Sequence, residues 1–277
     1  MPAKPTTKRL PPPLKWHGGK HKLAPWIVGL MPPHRTYVEP YFGGGSVLLA
    51  KPRSAVEVAG DLNAGLIEFW QVLRDDASIP EWLDSVDYSP EEFEMAGGIN
   101  KSYTPLFRAL NFLVRNRMSR GGMGETFAWS DRLREGQPGD VNAWDNAVAA
   151  LPAHSERIKH VRFRHCHALD LMAECDGPDT LTYLDSPYHP ETRTAPKVYD
   201  HEMTTADHDE MLAAANGLVG MVMISGYRCS AYNAALAGWK RHDKVTVNHS
   251  SQAKTKAPRT ECLWLNPAAV AAREAAR

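Results

Sequence analysis

The stretch LDSPYHP, residues 184–190, places an acid, a proline and an aromatic ring next to one another. It follows the β-prone run TLTYL, so Asp185 is expected at the carboxyl end of a buried strand. There its carboxylate can accept a hydrogen bond from an exocyclic amine. The backbone carbonyl of Ser186 can accept another, because Pro187 biases Ser186 towards an extended conformation. Tyr188 can stack on a planar ring. The pattern is suited to binding the amino group of a flat heterocycle, such as a flipped-out base. An ordinary surface turn is the alternative interpretation.

A glycine cluster follows another β-prone run, TYVEP, in the stretch EPYFGGGS at residues 39–46. Three successive glycines let the backbone turn sharply and approach a ligand closely. The stretch resembles a nucleotide-binding turn, but it lacks the Walker lysine and the full GxGxxG spacing, so a phosphate-gripping site is not favoured. A plain strand-to-helix turn is an alternative of equal weight.

Two further stretches have the residue types of a ligand site. Asp61 follows Gly43 by eighteen positions and ends a second β-prone run. An acid at about this distance from a glycine turn can bind ribose hydroxyls. Asp61 or Asn63 can equally cap the following helix, and both roles are compatible. The loop KWHGGK can present Trp16 and Lys20 to a ligand, although a tryptophan is more often packed in a core.

A scaffold for these stretches is visible in the periodicity of the chain. Short β-prone runs alternate with helical stretches, which favours an α/β domain with a mainly parallel sheet. The runs DKVTV and TECLWL are expected to pair in an antiparallel arrangement. Thr204 with Asp207 predicts the start of a helix. Further strands are predicted at residues 54–60, 161–164, 180–184 and 220–226.

The pattern changes between residues 76 and 160, which we interpret as an insertion or subdomain without clean periodicity. Arginine and asparagine are the side chains that read guanine and adenine edges in DNA. Acids are interspersed among them, so a solvated charged surface is the alternative. The candidates are Arg108, Asn111, Arg115, Asn116, Arg117, Arg120, Arg132 and Arg134. A basic loop suited to phosphates contributes Lys254, Lys256 and Arg259.

The composition excludes several classes of protein. The chain has 277 residues and a formal net charge of zero. This total gives no indication of a polyanionic partner, although a neutral protein can still have a basic face. Its four cysteines show neither CxxC pairing nor metal-ligand spacing with histidine, so no metal is expected. No apolar stretch approaches the roughly 20 residues that span a bilayer. A cytoplasmic protein is expected.

Taken together and in this order, the motifs resemble the Dam-like, D12 class of adenine-N6-specific DNA methyltransferases over nearly the whole chain. The stretch from Asp185 to Tyr188 resembles the catalytic DPPY tetrapeptide, with Ser186 in place of the first proline. We expect catalysis to survive this change, because Pro187 still restrains Ser186. The resemblance implies that the catalytic residues are Asp185, Ser186, Pro187 and Tyr188. It implies that the cofactor-binding residues are Trp16, Lys20, Glu39, Tyr41 (where phenylalanine is usual), Gly43, Gly45, Asp61, Asp170 and Asp185.

The resemblance also implies a fold, a cofactor and partners. The expected fold is a Rossmann-like S-adenosylmethionine-dependent methyltransferase domain, with a mainly parallel sheet, an antiparallel C-terminal hairpin and an inserted target-recognition subdomain. Residues 1–75 and 161–277 would form the methyltransferase domain and residues 76–160 the insertion. S-adenosylmethionine is the expected cofactor and double-stranded DNA the expected partner. No membrane or metal partner is expected, and we expect a monomer.

Three other interpretations account for some of the motifs. A cytosine-N4 methyltransferase can use the same acceptor geometry, and the aspartate at position 185 favours adenine. A catalytically impaired DNA-binding relative would keep the fold, with Ser186 as the lesion. A nicotinamide-dependent oxidoreductase is disfavoured, because it leaves the tetrapeptide and KWHGGK unexplained.

Overall fold

The structure is a computed structural model that describes residues 10–98, 102–192, 202–247 and 258–276. Helices and strands alternate along much of these ranges, as the patterns predicted. The helices are α1 (Ala24–Gly29), α2 (Ser46–Ala50), α3 (Ala64–Asp75), α4 (Ile79–Leu83), α5 (Pro90–Met95), α6 (Pro105–Met118), α7 (Gly139–Ala149), α8 (Leu151–Ile158), α9 (Ala168–Cys175), α10 (Thr205–Gly217), α11 (Ser230–Ala235) and α12 (Pro267–Ala275). The strands are β1 (Thr36–Glu39), β2 (Val56–Asp61), β3 (Leu133–Arg134), β4 (Gln137–Pro138), β5 (Val161–His165), β6 (Thr180–Leu184), β7 (Met221–Gly226), β8 (Lys240–Val247) and β9 (Pro258–Leu265).

Seven strands form one sheet in the order β5-β2-β1-β6-β7-β9-β8. The first five are parallel to their neighbours, and β9 is antiparallel to both β7 and β8. The predicted Rossmann-like sheet with an antiparallel C-terminal hairpin is therefore confirmed. The strand order reverses at β1, which lies between β2 and β6. In doubly wound folds, ligands bind outside the carboxyl ends of the strands at such a switch point.

The two strands that carry the tetrapeptide and its neighbour are buried along their full length. Every residue of β6 and of β7 is buried. Parallel strands covered on both faces read as continuous apolar runs, which explains TLTYL and MVMISG. Because such a strand is packed on both faces, the position of the polar residue that directly follows it is well defined.

The described residues divide into two compact units. The second unit comprises Gly29–Phe42, Arg53–Asn63 and the described residues from Val161 onward. It holds the whole seven-stranded sheet together with α9–α12. The first unit comprises the described residues up to Val28, Gly43–Pro52 and Ala64–His160, and it holds α2–α8 and the β3–β4 hairpin. The predicted insertion, residues 76–160, lies within the first unit, and its role in target recognition stays a prediction.

Within that insertion, the expected lack of periodicity is wrong for the segment that forms α6. This helix begins after Thr104, whose hydroxyl accepts a hydrogen bond from the Phe107 N–H at 3.4 Å, and Pro105 occupies its first position. Its buried positions recur with helical spacing, but arginines between them mask the apolar pattern. The irregular chain begins after Met118. No helix in the described ranges combines the length and apolar character needed to cross a bilayer.

Candidate active site

Asp185 directly follows β6 in the second unit, and its carboxylate is held by a short relay of hydroxyl groups. The Ser225 hydroxyl donates to Asp185 Oδ1 at 2.7 Å, and the Tyr183 hydroxyl donates to Ser225 Oγ at 2.9 Å. Leu184 pairs with Ile224 across β6 and β7, so the next residue of each strand lies beside the other. Asp185 itself is only half-buried. The relay therefore orients a carboxylate that solvent can still reach.

Ser186 lies deeper, against a second pair of polar side chains. It is 4% exposed, and its Oγ lies 3.4 Å from the hydroxyl of Tyr232 on α11. That hydroxyl lies 3.1 Å from Nδ1 of His208 on α10. Tyr232 and His208 are both buried, and burial raises the pKa of Tyr232, which keeps the phenol neutral.

Tyr188 is fixed at both its hydroxyl and its ring. The hydroxyl donates to Oε1 of the buried Glu261 on β9 at 3.0 Å. The ring centroid lies 4.5 Å from that of Tyr227, with an interplanar angle of 40°. The Arg259 guanidinium lies 5.5 Å from the Tyr227 ring centroid. The aromatic ring predicted to stack on a base is thus already oriented by its neighbours.

Three of the predicted cofactor acids lie on the carboxyl side of β1, β2 and β5 in the same unit. Glu39 ends β1, is 2% exposed and accepts a hydrogen bond from the Tyr37 hydroxyl at 2.9 Å. Asp61 ends β2, and its Oδ1 accepts from the Asn63 N–H at 3.0 Å, which forms the turn into α3. Asp170 is exposed in the first turn of α9, which follows β5. The structure confirms a turn-forming role for Asp61, and ribose binding stays a prediction.

Tyr41 lies where the family usually has phenylalanine. It packs against the apolar cluster of the second unit that includes Leu184 and Tyr232. Burial raises the pKa of the Tyr41 hydroxyl. The ring therefore makes the packing contact that a phenylalanine would make there.

The glycine turn and the KWHGGK loop meet within the first unit. Gly43 and Gly45 have φ angles of 50° and 67°, which favour glycine. A Cβ on Gly43 would lie 2.4 Å from Trp16 Nε1, and the Trp70 indole donates to the Gly43 carbonyl at 3.1 Å. Lys20 is 4% exposed and its Nζ donates to the Gly18 carbonyl at 3.1 Å. In the structure the close approach that the glycines permit is made by Trp16, and ligand contacts of these residues stay predictions.

Two of the arginines predicted to contact DNA, Arg115 and Arg117 on α6, have partners within the first unit. Arg115 donates to the carbonyls of Phe93 and Gly124, and its guanidinium lies 3.7 Å from the Phe93 ring centroid. Arg117 donates to the Ala143 carbonyl at 2.5 Å, and burial lowers its pKa. These contacts give both guanidinium groups a structural role in the first unit, which sequence alone did not indicate.

Asn116 is 5% exposed, and its amide bonds only to backbone in the first unit. Its oxygen accepts from the Lys15 N–H at 2.8 Å, and its nitrogen donates to the carbonyls of Lys15 and Gly122 at 2.9 and 3.0 Å. These bonds use both N–H groups of the Asn116 amide and one of the two lone pairs of its oxygen. The side chain joins the KWHGGK loop to α6, and a contact with DNA stays a prediction that the structure does not support.

Replacement of Asn116 by alanine is expected to lower the free energy of unfolding by about 2–4 kcal/mol, because it leaves partly buried backbone groups of Lys15 and Gly122 without this partner. Urea denaturation measures this loss. Asn111→Ala on the same helix is the matched control, since Asn111 is half-buried and its side chain makes no hydrogen bond to the described residues. Equal effects of the two substitutions would contradict the structural role of Asn116.

Exposed arginines lie elsewhere in the first unit. Arg120 follows α6, and Arg132 and Arg134 lie at the β3–β4 hairpin; all three side chains are exposed. By contrast, Arg108 forms an ion pair with Glu68. Lys254 and Lys256 lie outside the described residues.

One group of side chains in the second unit has metal-ligand types. Ligand atoms of His189, Glu191 and Cys229 lie within 4.8 Å of one another. His189 Nδ1, however, already accepts a hydrogen bond from the Glu191 N–H at 3.3 Å, and the Ser230 hydroxyl donates to Glu191 Oε2 at 3.0 Å. The predicted absence of a metal stays a prediction.

The matching family model and the relatives agree with the motifs. Residues 16–120 match the family described as "D12 class N6 adenine-specific DNA methyltransferase". A DNA adenine methylase of Serratia marcescens is 29% identical over 195 residues, which are 66% of this chain and 68% of the relative. The DNA adenine methylase of Escherichia coli K12 is 27% identical over 221 residues, 74% of this chain and 76% of the relative. Among solved structures, precorrin 8W decarboxylase of Methanobacterium thermoautotrophicum aligns with a TM-score of 0.37 and 8% identity over 88% of this chain and 89% of the other.

The sheet order and the acid at the end of β6 define a Rossmann-like methyltransferase domain. Within that class, the predicted resemblance to the Dam-like, D12 class of adenine-specific DNA methyltransferases is confirmed. The family match ends at residue 120, so the tetrapeptide with Ser186 lies beyond it.

Proposed function

We propose that the protein transfers a methyl group from S-adenosylmethionine to N6 of adenine in double-stranded DNA, with Asp185 and Ser186 as the acceptors of the amine protons. One observation carries the proposal: Asp185 lies at the end of β6, next to the switch point of the sheet, and Ser225 orients its carboxylate at 2.7 Å. The relatives that support the substrate are DNA adenine methylases.

The chemistry follows from the electronic structure of adenine. The lone pair of its amino nitrogen is delocalised into the ring, so the amine is a poor nucleophile. Hydrogen bonds from the amine to the Asp185 carboxylate and the Ser186 carbonyl would localise this lone pair. Groups fixed in advance stabilise the developing charge without reorganisation. Tyr188, held by Glu261, would hold the flipped ring in place by stacking.

The hydrogen-bond acceptors of the second unit fit the cofactor. S-adenosylmethionine supplies a methyl group bound to a positively charged sulfur. Its ribose hydroxyls and its adenine amine are hydrogen-bond donors, and carboxylates are acceptors. Glu39, Asp61 and Asp170 provide such carboxylates on the carboxyl side of three adjacent strands of the sheet. We assign Asp61 to the ribose and Asp170 to the adenine amine.

The proposal is tested directly by incubating duplex DNA of known sequence with methyl-labelled S-adenosylmethionine and identifying the modified base. N6-methyladenine is the expected product. N4-methylcytosine would instead support the alternative in which the same acceptors hold the cytosine amine. Labelled cofactor that binds without transfer would support the catalytically impaired relative.

For the DNA contacts we expect the exposed Arg120 to matter more than the internally bonded Arg115. Arg120→Ala should weaken DNA binding and reduce the slope of log affinity against log salt by about 0.9, the value for one lost phosphate contact. Fluorescence anisotropy across a salt series measures both quantities. Arg74→Ala is the control, since Arg74 is paired with Asp75. An Arg120 variant that binds DNA like the parent at every salt concentration would place the contact surface elsewhere.

A further inference from the structure

We infer that Tyr232 and His208 are positioning residues, which supply to Ser186 the restraint that a proline supplies in the family's tetrapeptide. The inference rests on the proposed function, in which the carbonyl of residue 186 accepts a proton of the target amine. Neither residue belongs to the motifs that indicate the family. They lie 46 and 22 positions after Ser186 and reach it through α11 and α10.

The two kinds of restraint act on the same backbone. A proline ring fixes φ near −65° and so sets the direction of the following carbonyl. Serine has no such ring, and Pro187 limits Ser186 from the C-terminal side only. A hydrogen bond from the Ser186 side chain to a rigid neighbour limits the rotation of the residue as a whole. The Tyr232 hydroxyl, at 3.4 Å from Ser186 Oγ, is placed to make this bond.

The anchor is rigid because it is packed on several sides. Tyr232 is 3% exposed and His208 is fully buried. The Tyr232 ring centroid lies 5.5 Å from that of Trp264 and 5.8 Å from that of His208. His208 is in the first turn of α10, whose start is fixed by the capping box of Thr204 and Asp207. Side chains packed this closely do not shift without cost.

The hydrogen-bond chain can be satisfied in either direction. With an unprotonated Nδ1, His208 accepts from Tyr232, and Ser186 donates to the Tyr232 oxygen. With a protonated Nδ1, His208 donates to Tyr232, and Tyr232 donates to Ser186. Both orders keep Ser186 tied to the core, and a proline at 186 would still leave Tyr232 bonded to His208.

A double-mutant cycle on the full chain separates positioning from stability. Ser186→Ala and Tyr232→Phe are each expected to lower the single-turnover rate of methyl transfer about three- to tenfold, the value of one hydrogen bond. Their combination should cost no more than either alone. In the Ser186→Pro background, where the proline ring supplies the restraint, Tyr232→Phe should have no effect on the rate.

Two controls accompany the cycle. Tyr88→Phe removes another tyrosine hydroxyl that is bonded within the protein, here to the Ala128 carbonyl in the first unit, and its rate should stay at the parent value. Thermal unfolding and the affinities for S-adenosylmethionine and DNA are measured for every variant. The positioning role predicts a change in kcat with little change in KM.

Each remaining outcome is decisive. The inference fails if Tyr232→Phe leaves the parent rate unchanged, or if it costs the same factor in the Ser186→Pro background. A parent that is inactive and a Ser186→Pro variant that is active would support the proposed function and overturn the inference. Inactivity of both on adenine-containing duplex DNA would overturn the proposed function itself, and the inference with it.

Discussion

Asp185→Ala is expected to lower the single-turnover rate of methyl transfer about 100- to 1,000-fold, the usual cost of removing one preorganised group that acts on developing charge. The carboxylate is oriented by Ser225 at 2.7 Å, so its removal takes away a group that needs no rearrangement to act. Alanine leaves the Ser186 carbonyl in place, which accounts for residual activity. Transfer of labelled methyl to adenine-containing duplex DNA measures the rate.

The same variant should still fold and bind S-adenosylmethionine, because the main effect of the carboxylate is on the target amine. Thermal unfolding and calorimetric titration check both properties. Asp209→Ala is the matched control, since Asp209 is an exposed acid on α10. Parent-like transfer by the Asp185 variant would remove this residue from the mechanism, whatever the substrate.

The strands that position Asp185 could be predicted because their sequences are locally unambiguous. TLTYL and MVMISG are short runs rich in apolar and β-branched residues, and both are strands buried along their full length. TECLWL and DKVTV lie within the predicted antiparallel pair β9 and β8. A strand with both faces covered has no polar alternation that could suggest another structure.

The partners of the tetrapeptide could not be predicted in the same way. Ser225, Tyr232 and Glu261 lie 40, 46 and 73 positions from the residues they contact. Their proximity depends on the order of strands in the sheet and on the packing of α11. A signal for Ser225 does exist, because it is the one hydroxyl in MVMISG and lies where the neighbouring strand ends.

The exposure of charged side chains is a second property that the sequence alone does not predict. Arg115 and Arg120 differ by five positions, and composition alone treats them alike. The structure directs Arg115 to backbone carbonyls inside the first unit and leaves Arg120 exposed. The phase of α6 directs Arg115 inward, whereas Arg120 lies beyond the C-terminal end of that helix. Neither the phase nor the end of α6 is evident in the sequence, because arginines interrupt its apolar pattern.

Asp61→Asn is expected to weaken the binding of S-adenosylmethionine about 10- to 150-fold, which corresponds to about 1.5–3 kcal/mol for a lost charge-assisted hydrogen bond. Asparagine keeps a side-chain oxygen, so it can still accept the Asn63 N–H that Asp61 accepts at 3.0 Å and can preserve the turn into α3. Asparagine therefore separates the proposed ribose contact from the turn-forming role. Alanine would abolish both at once. Calorimetric titration with S-adenosylmethionine measures the affinity.

A second turn in this chain provides the control for that experiment. Asp76 Oδ1 accepts the Ser78 N–H at 2.9 Å ahead of α4, in the same arrangement as Asp61 ahead of α3. Asp76→Asn removes a charge from an equivalent turn and should leave cofactor affinity unchanged. If Asp61→Asn also binds like the parent, while Asp61→Ala only lowers stability, the residue is a turn former and the ribose acceptor must be sought among the other acids of the sheet edge.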